Sequence, residues 1–318
     1  MSAFLLHTGV SKTGSTTLQE GFARHAGVFS LGKSADYPGP EGSRSEDVFS
    51  ALNAVLWQRP RPAHLPLSTT LPELLASPEA AGRVTVASWE ALGSKPTGVY
   101  REMLERLIAA CPQTRILCCL RRPTTWLVST YLQHVRGQFL RRHRDDLFGG
   151  LPWIPFEEWL TRSEEAGFHG LTAQLPNLRT AVAALGRDRV GVVLFEHLQT
   201  QPEAFYRSIA AFAEIDASEL LRHTVHEHKN TRLTQAAFAH MQRVAETPAL
   251  CEAWREQGPE QRRNGLRSAE THAGSLGSIR FDLPADWQQR VAALVQADAD
   301  WLQSDLGTPL REVWAVPS

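Results

Sequence analysis

Apolar residues along this chain follow two alternating periodicities. Short runs of strand length occupy 3–8, 27–31, 83–88, 115–120 and 189–195, with the continuous apolar character of strands buried on both faces. Helical spacing appears between or after them, at 16–25, 99–110, 125–135, 171–185, 204–212 and 287–306. Strands that alternate with helices predict right-handed βαβ units. The expected fold is therefore α/β, a parallel β-sheet flanked by helices on both faces. In such a sheet, binding groups gather at the carboxyl ends of the strands. Two stretches break the pattern. Residues 37–78 are rich in Pro, Ser and Glu, and Arg59-Pro60-Arg61-Pro62 marks irregular backbone there. Residues 136–160 are aromatic and basic, with Phe139, His143, Phe148, Trp153, Phe156 and Trp159. Insertions of this kind are expected to serve as lids or substrate walls on a single domain spanning 1–318.

Composition narrows the function. A formal net charge of −1 and a pI near 6.9 exclude the broad basic field of a nucleic-acid binder. Cys111, Cys118, Cys119 and Cys251 have neither disulfide-framework nor zinc spacing. Cys118 and Cys119 fall inside a predicted strand and point to opposite faces, as buried thiols in a reducing compartment. No apolar stretch approaches the roughly twenty residues that a membrane-spanning helix needs. The first apolar residues are already strand, with no basic region before them as in a signal peptide. A cytoplasmic protein is the expectation.

The candidate chemistry begins at the end of the first strand. His7-Thr8-Gly9-Val10-Ser11-Lys12-Thr13-Gly14-Ser15-Thr16-Thr17 is a glycine-punctuated loop opening into a helix. That geometry aims backbone N–H groups and a helix's positive end at one point, which suits a phosphate or similar anion. Gly9 and Gly14 permit sharp turns, Ser15, Thr16 and Thr17 supply hydroxyls, and Lys12 adds a mobile charge. A Walker A loop puts its lysine directly after the second glycine. Here Ser15 stands at that place, and the lysine comes two residues before Gly14. The glycine frame of an ATP-hydrolysing loop is present without its lysine arrangement.

A second segment lies about a hundred residues on. The apolar run 115–120 ends in Arg121-Arg122-Pro123, and Ser129 and Tyr131 follow in a helical pattern. Proline at a helix start sacrifices no needed N–H. Arg121 and Ser129 are eight positions apart, so a guanidinium fork and a hydroxyl can close on one phosphate.

Ser11-Lys12-Thr13-Gly14-Ser15-Thr16 resembles the 5′-phosphosulfate loop of sulfotransferases that use 3′-phosphoadenosine-5′-phosphosulfate (PAPS). Arg121 with Ser129 resembles their 3′-phosphate signature, and Phe195-Glu196-His197-Leu198 with the helix after it is similar to a further element of bacterial members. The resemblance implies a P-loop NTPase-like topology and PAPS as donor co-substrate, without a metal. It assigns donor contacts to Ser11, Lys12, Thr13, Gly14, Ser15, Thr16, Thr17, Arg121 and Ser129. Arg262-Arg263-Asn264-Gly265 loosely resembles the late basic element of the family, which would make Arg263 a 3′-phosphate contact. A helix C-terminus at Asn264-Gly265 explains those residues equally well. Lys229-Asn230 is another late candidate by family position. The implied activity is sulfuryl transfer to a hydroxyl or amine of a small-molecule or glycan acceptor. The alternative is a P-loop nucleotide-binding protein or small-molecule kinase without that activity.

Sulfuryl transfer requires in-line positioning, stabilisation of the leaving oxygen and a base for the acceptor. By the resemblance, Lys12 serves the leaving oxygen. In the family a His or Glu stands at the end of the strand preceding the 3′-phosphate strand. Here that strand is 83–88, which makes Glu90 the candidate base and His7 the second candidate. Glu90 has two other readings, a first-turn helix glutamate or an ion-pair partner of Lys12 or Arg121. Glu196 reads as structural.

Overall fold

The computed structural model of the protein describes residues 3–10, 12–33, 71–78, 80–141, 146–165, 170–224, 233–272, 279, 281–307 and 314. Ser11, His143, Lys229, Asn230 and residues 37–70 of the first insertion lie outside the described residues. The chain forms two compact units, one of Met1–Arg122, His169–Lys229 and Ala292–Ser318, the other of Pro123–Phe168 and Asn230–Val291.

The first unit holds the sheet. Its strands are β1 (Phe4–Gly9), β2 (Val28–Lys33), β3 (Val84–Ser88), β4 (Thr114–Leu120) and β5 (Val190–Leu194). They lie in the order β2-β3-β1-β4-β5, and every neighbouring pair is parallel. The expected α/β class with an all-parallel sheet is what the chain adopts. β1 is central and buried at every position, as its unbroken apolar run requires. The helices of this unit are α1 (Ser15–Arg24), α2 (Leu71–Leu75), α3 (Glu90–Gly93) and α4 (Thr97–Ala110). They continue, after the second unit's α5 (Pro123–Arg141) and α6 (Phe156–Glu165), with α7 (Gly170–Leu185), α8 (Phe195–Thr200), α9 (Pro202–Ala213) and α10 (Ala217–Thr224). On one face Leu5, Val86, Leu117 and Val193 pack against Leu18 and Phe22 of α1, Phe205 and Ile209 of α9, and Leu220 of α10. Each such fully buried side chain contributes about 1.5–3 kcal/mol of transfer free energy. α4 and α7 pack on each other, and α7 also packs on β4.

Two local features at the strand ends differ from or sharpen the sequence pattern. The last strand stops at Leu194, because Phe195 opens the short helix α8 and turns its ring toward the loop after β1. Glu90 begins α3, so the first-turn position is its local structure.

The second unit is helical, with α5, α6, α11 (Gln235–Glu246), α12 (Pro248–Glu256) and α13 (Pro259–His272), and it takes in the start of α14 (Ala285–Leu306). α5 extends six residues past the expected 135, so 136–141 is helix. Proline at its first position is pre-organised for helix. Within 136–160, Phe139, Phe148, Phe156 and Trp159 are buried. They build this unit's core. Tyr131 is also buried there. Its hydroxyl donates to the Ile154 carbonyl at 2.7 Å, and its ring meets Phe156 at 4.9 Å and Phe281 at 5.7 Å. Arg262 is 1% exposed. It donates to the carbonyls of Trp254 (2.9 Å) and Phe139 (3.4 Å) and stacks on the Trp254 ring at 4.3 Å. α13 runs straight through Asn264-Gly265, which corrects the expected helix end at that place. The dipeptide's turn propensity yields to the packing of Arg262 and Leu266 on the same helix. Among the described residues no helix is long and apolar enough to cross a membrane.

Candidate functional site

At the carboxyl end of β1 the backbone turns through three left-handed positions, Gly9 (φ 133°), Lys12 (φ 70°) and Gly14 (φ 79°). Glycine is needed at Gly9 for a second reason: a Cβ there would stand 2.5 Å from the Cys119 carbonyl of the paired strand β4. Lys12 and Glu214 are the two non-glycine residues with positive φ among the described residues. For lysine this conformation costs about 1–2 kcal/mol. What holds it is Arg121, whose Nη1 donates to the Lys12 carbonyl at 2.7 Å while its guanidinium stacks on the Phe195 ring at 4.5 Å. A charge-assisted hydrogen bond of about 1.5–3 kcal/mol matches that strain. The two segments carrying the sequence signatures thus meet, because β1 and β4 are neighbours and both end there.

The rest of the loop is pinned from inside. Thr13 is buried and its hydroxyl donates to the Val10 carbonyl at 2.9 Å. The Cys119 thiol donates to the Thr13 carbonyl at 3.5 Å. α1 starts at Ser15, capped by Gly14 without a side-chain bond and with no acidic residue in its first turn. First-turn N–H groups have no partner within their own helix, and no carboxylate of this turn competes for its positive end. Ser15 and Thr17 are buried and Thr16 is half-buried. The residues around Lys12 and α1 fit an anionic 5′-phosphosulfate.

A polar chain adjoins the loop at the ends of β1 and β3. His7, 1% exposed, faces Ser88 across the strand pair, with Nδ1 at 2.8 Å from its Oγ. The Gln19 amide Nε2, from α1, donates to Ser88 Oγ at 2.7 Å and to Glu90 Oε1 at 3.1 Å. Glu90 is half-buried. His7 therefore lies behind Ser88, whereas Glu90 is the outer member of the chain. Gln19 and Ser88 were not singled out from sequence. Gln19 lies one turn beyond Ser15 on α1, but its partners become visible only when β3 is known to neighbour β1.

Other expected residues stand on further elements of the chain. Ser129 is half-buried on α5 of the second unit, and Arg263 is exposed on α13 of the same unit. Glu196 is tied on both oxygens, accepting from the Arg122 backbone N–H at 2.8 Å and from Trp314 Nε1 at 3.0 Å. Cys111, Cys118, Cys119 and Cys251 are free and buried. Burial pushes the Cys118 thiol up to about 12 and raises Cys119 as well. Neither supplies a thiolate at neutral pH. Among the described residues no group of three or more His, Cys, Asp or Glu is placed to hold a metal. A cleft lined by His25, Val84, Asp216 and Glu219 opens at the amino ends of β2 and β3, the opposite end of the sheet from the loop.

No protein-family model matches the chain, and no curated relative does. Solved structures do. A sulfotransferase from Alicyclobacillus acidocaldarius is 16% identical and superposes with a TM-score of 0.54 over 98% of both chains. The sulfotransferase domain of the curacin biosynthetic pathway is 12% identical, covering 93% of this chain and 98% of its own, with a TM-score of 0.46. Mouse sulfotransferase SULT7A1, crystallised with PAP, is 13% identical, covering 98% and 88%, with a TM-score of 0.43. With its parallel sheet, its order β2-β3-β1-β4-β5 and its loop at the end of the central strand, the chain has the sulfotransferase fold.

Proposed function

We propose that this protein is a PAPS-dependent sulfotransferase acting on a hydroxyl or amine of a small-molecule or glycan acceptor, as one domain over 1–318. The supporting observation is the junction of Lys12 and Arg121 at the carboxyl ends of β1 and β4, with the first turn of α1 free of acidic residues. In this proposal Ser11 to Thr17 hold the 5′-phosphosulfate, Arg121, Ser129 and Arg263 read the 3′-phosphate, and Glu90 is the base, with His7 behind it. The acceptor oxygen or nitrogen forms the new bond to sulfur as the bond from sulfur to the bridging phosphate oxygen breaks. The acceptor proton passes to the Glu90 carboxylate, and the electron pair stays on the departing 5′-phosphate, where the Lys12 ammonium offsets the growing charge. Four buried free thiols support the cytoplasmic assignment.

The test compares thermal stabilisation by PAP and by Mg·ATP, since a ligand bound to the folded state raises its stability by mass action. Stabilisation by PAP at concentrations where Mg·ATP has none is expected. A preference for Mg·ATP would sink the proposal in favour of a kinase or other P-loop nucleotide-binding protein. Glu90→Gln keeps the hydrogen-bonding shape but cannot take a proton, so turnover should fall about a hundred- to ten-thousand-fold with PAP binding intact.

A further inference from the structure

The side chain of Gln19 has a role that the loop chemistry does not require. It sits one turn above Ser15 on the helix that opens from the anion loop. Its amide nitrogen spans the end of β3, donating at 2.7 Å to Ser88 Oγ and at 3.1 Å to Glu90 Oε1. An amide has two N–H donors on one atom, and both are directed here. The orientation is dictated by charge: turning the amide over would put its carbonyl oxygen against a carboxylate oxygen. Ser88 is backed by His7, which is 1% exposed. The far end of this chain is therefore buried, and only its Glu90 end can approach an acceptor.

We propose that Gln19 is the positioning residue of the acceptor base, fixing the Glu90 carboxylate relative to the donor loop by tying it to the same helix. This rests on the reading of Glu90 as base. α3 is only one turn long and starts at Glu90 itself, and the Gln19 bond restrains the carboxylate's side-chain torsions from the neighbouring helix α1. Neutrality at position 19 matters. A glutamate there would set a like charge about one hydrogen-bond length from Glu90 and disfavour the ionised base.

The experiment uses Gln19→Leu, Gln19→Glu and Glu90→Gln in the full chain, with kcat, donor KM and the pH–rate profile measured for each. Gln19→Leu should lower kcat by roughly ten- to a hundredfold and leave donor KM within about twofold, because misplacement of a reacting group costs rate more than binding. Gln19→Glu should shift the acid limb of the profile to higher pH, an effect that a merely structural glutamine would not produce. Wild-type kcat and an unmoved limb in both Gln19 variants, with Glu90→Gln inactive, would overturn the Gln19 role and leave the base standing. A parallel loss of kcat and donor affinity in Gln19→Leu, with the limb unmoved in Gln19→Glu, would reduce Gln19 to a packing residue and overturn the proposal. Near wild-type turnover by Glu90→Gln would instead remove the base, and the Gln19 role with it.

Discussion

Arg121→Ala tests whether the arginine after β4 shapes the donor loop as well as reading a phosphate. In the native loop Lys12 holds φ 70°, at a cost of about 1–2 kcal/mol. The bond from Arg121 to its carbonyl returns about 1.5–3 kcal/mol, and stacking on Phe195 at 4.5 Å adds about 0.5–1 kcal/mol for a half-exposed pair. Gain exceeds strain by a small margin, so removing the guanidinium leaves the binding-ready loop as a minor conformation. A ligand's affinity falls by the fraction of protein that is competent, and the unopposed strain of about 1–2 kcal/mol means a roughly five- to thirtyfold loss. That loss should appear with every ligand carrying a 5′-phosphate, whether or not it has a 3′-phosphate. Calorimetric titration with PAP and with adenosine 5′-phosphosulfate separates the two roles. Arg121→Ala should weaken both, and PAP more strongly, whereas Ser129→Ala should weaken PAP alone. Unchanged affinity of Arg121→Ala for adenosine 5′-phosphosulfate would refute the clamp and leave only the phosphate reader.

The other predictions draw on different parts of the molecule. Lys12→Ala should depress kcat at least a hundredfold and donor affinity by less than about tenfold, since its charge matters most as the leaving oxygen develops charge; equal losses in kinetics and titration would contradict that role. Gly93→Ala would bring a Cβ to 2.2 Å from the Gly9 carbonyl oxygen and 2.7 Å from its carbon, backbone atoms with no rotamer to yield, so a loss of about 1–3 kcal/mol should lower the melting temperature by several degrees. Arg262→Ala should destabilise the protein by about 2–4 kcal/mol in urea unfolding, because it removes a fully buried side chain, its two hydrogen bonds to the carbonyls of Trp254 and Phe139, and its stack on Trp254. Arg263→Ala, on the exposed side of the same helix, should change stability by less than about 0.5 kcal/mol and weaken PAP binding only if Arg263 reaches the 3′-phosphate. Burial raises the thiols of Cys111 to about 11 and Cys118 to about 12 from 9.0. The folded chain then holds protons that the unfolded chain releases above about pH 9, so stability should be full below that pH and fall between pH 9 and 12; urea midpoints at pH 8 and pH 10 measure it, with a shallower decline in Cys118→Ala.

Much of the architecture is written locally. The apolar runs that became β1, β3 and β4 and the periodic segments that became α1, α4, α7 and α9 need only nearest neighbours along the chain to declare themselves. The donor loop is legible for the same reason, since glycine, lysine and hydroxyl residues follow one another without a gap from Gly9 to Thr17. The aromatic stretch after Val135 could not be resolved locally, because hydrophobic side chains look alike whether they wall a cleft or fill a core. Only packing showed that Phe139, Phe148, Phe156 and Trp159 are buried. Arg262 and Arg263 are neighbours in sequence and opposites in the fold, one sealed against Trp254 and one in solvent, since consecutive helical residues face about 100° apart. Glu90 could be placed by its strand, but its partner Gln19, 71 residues away in sequence, could not. Their meeting depends on β3 and β1 lying side by side, an order set by which apolar faces bury against one another and by no residue alone.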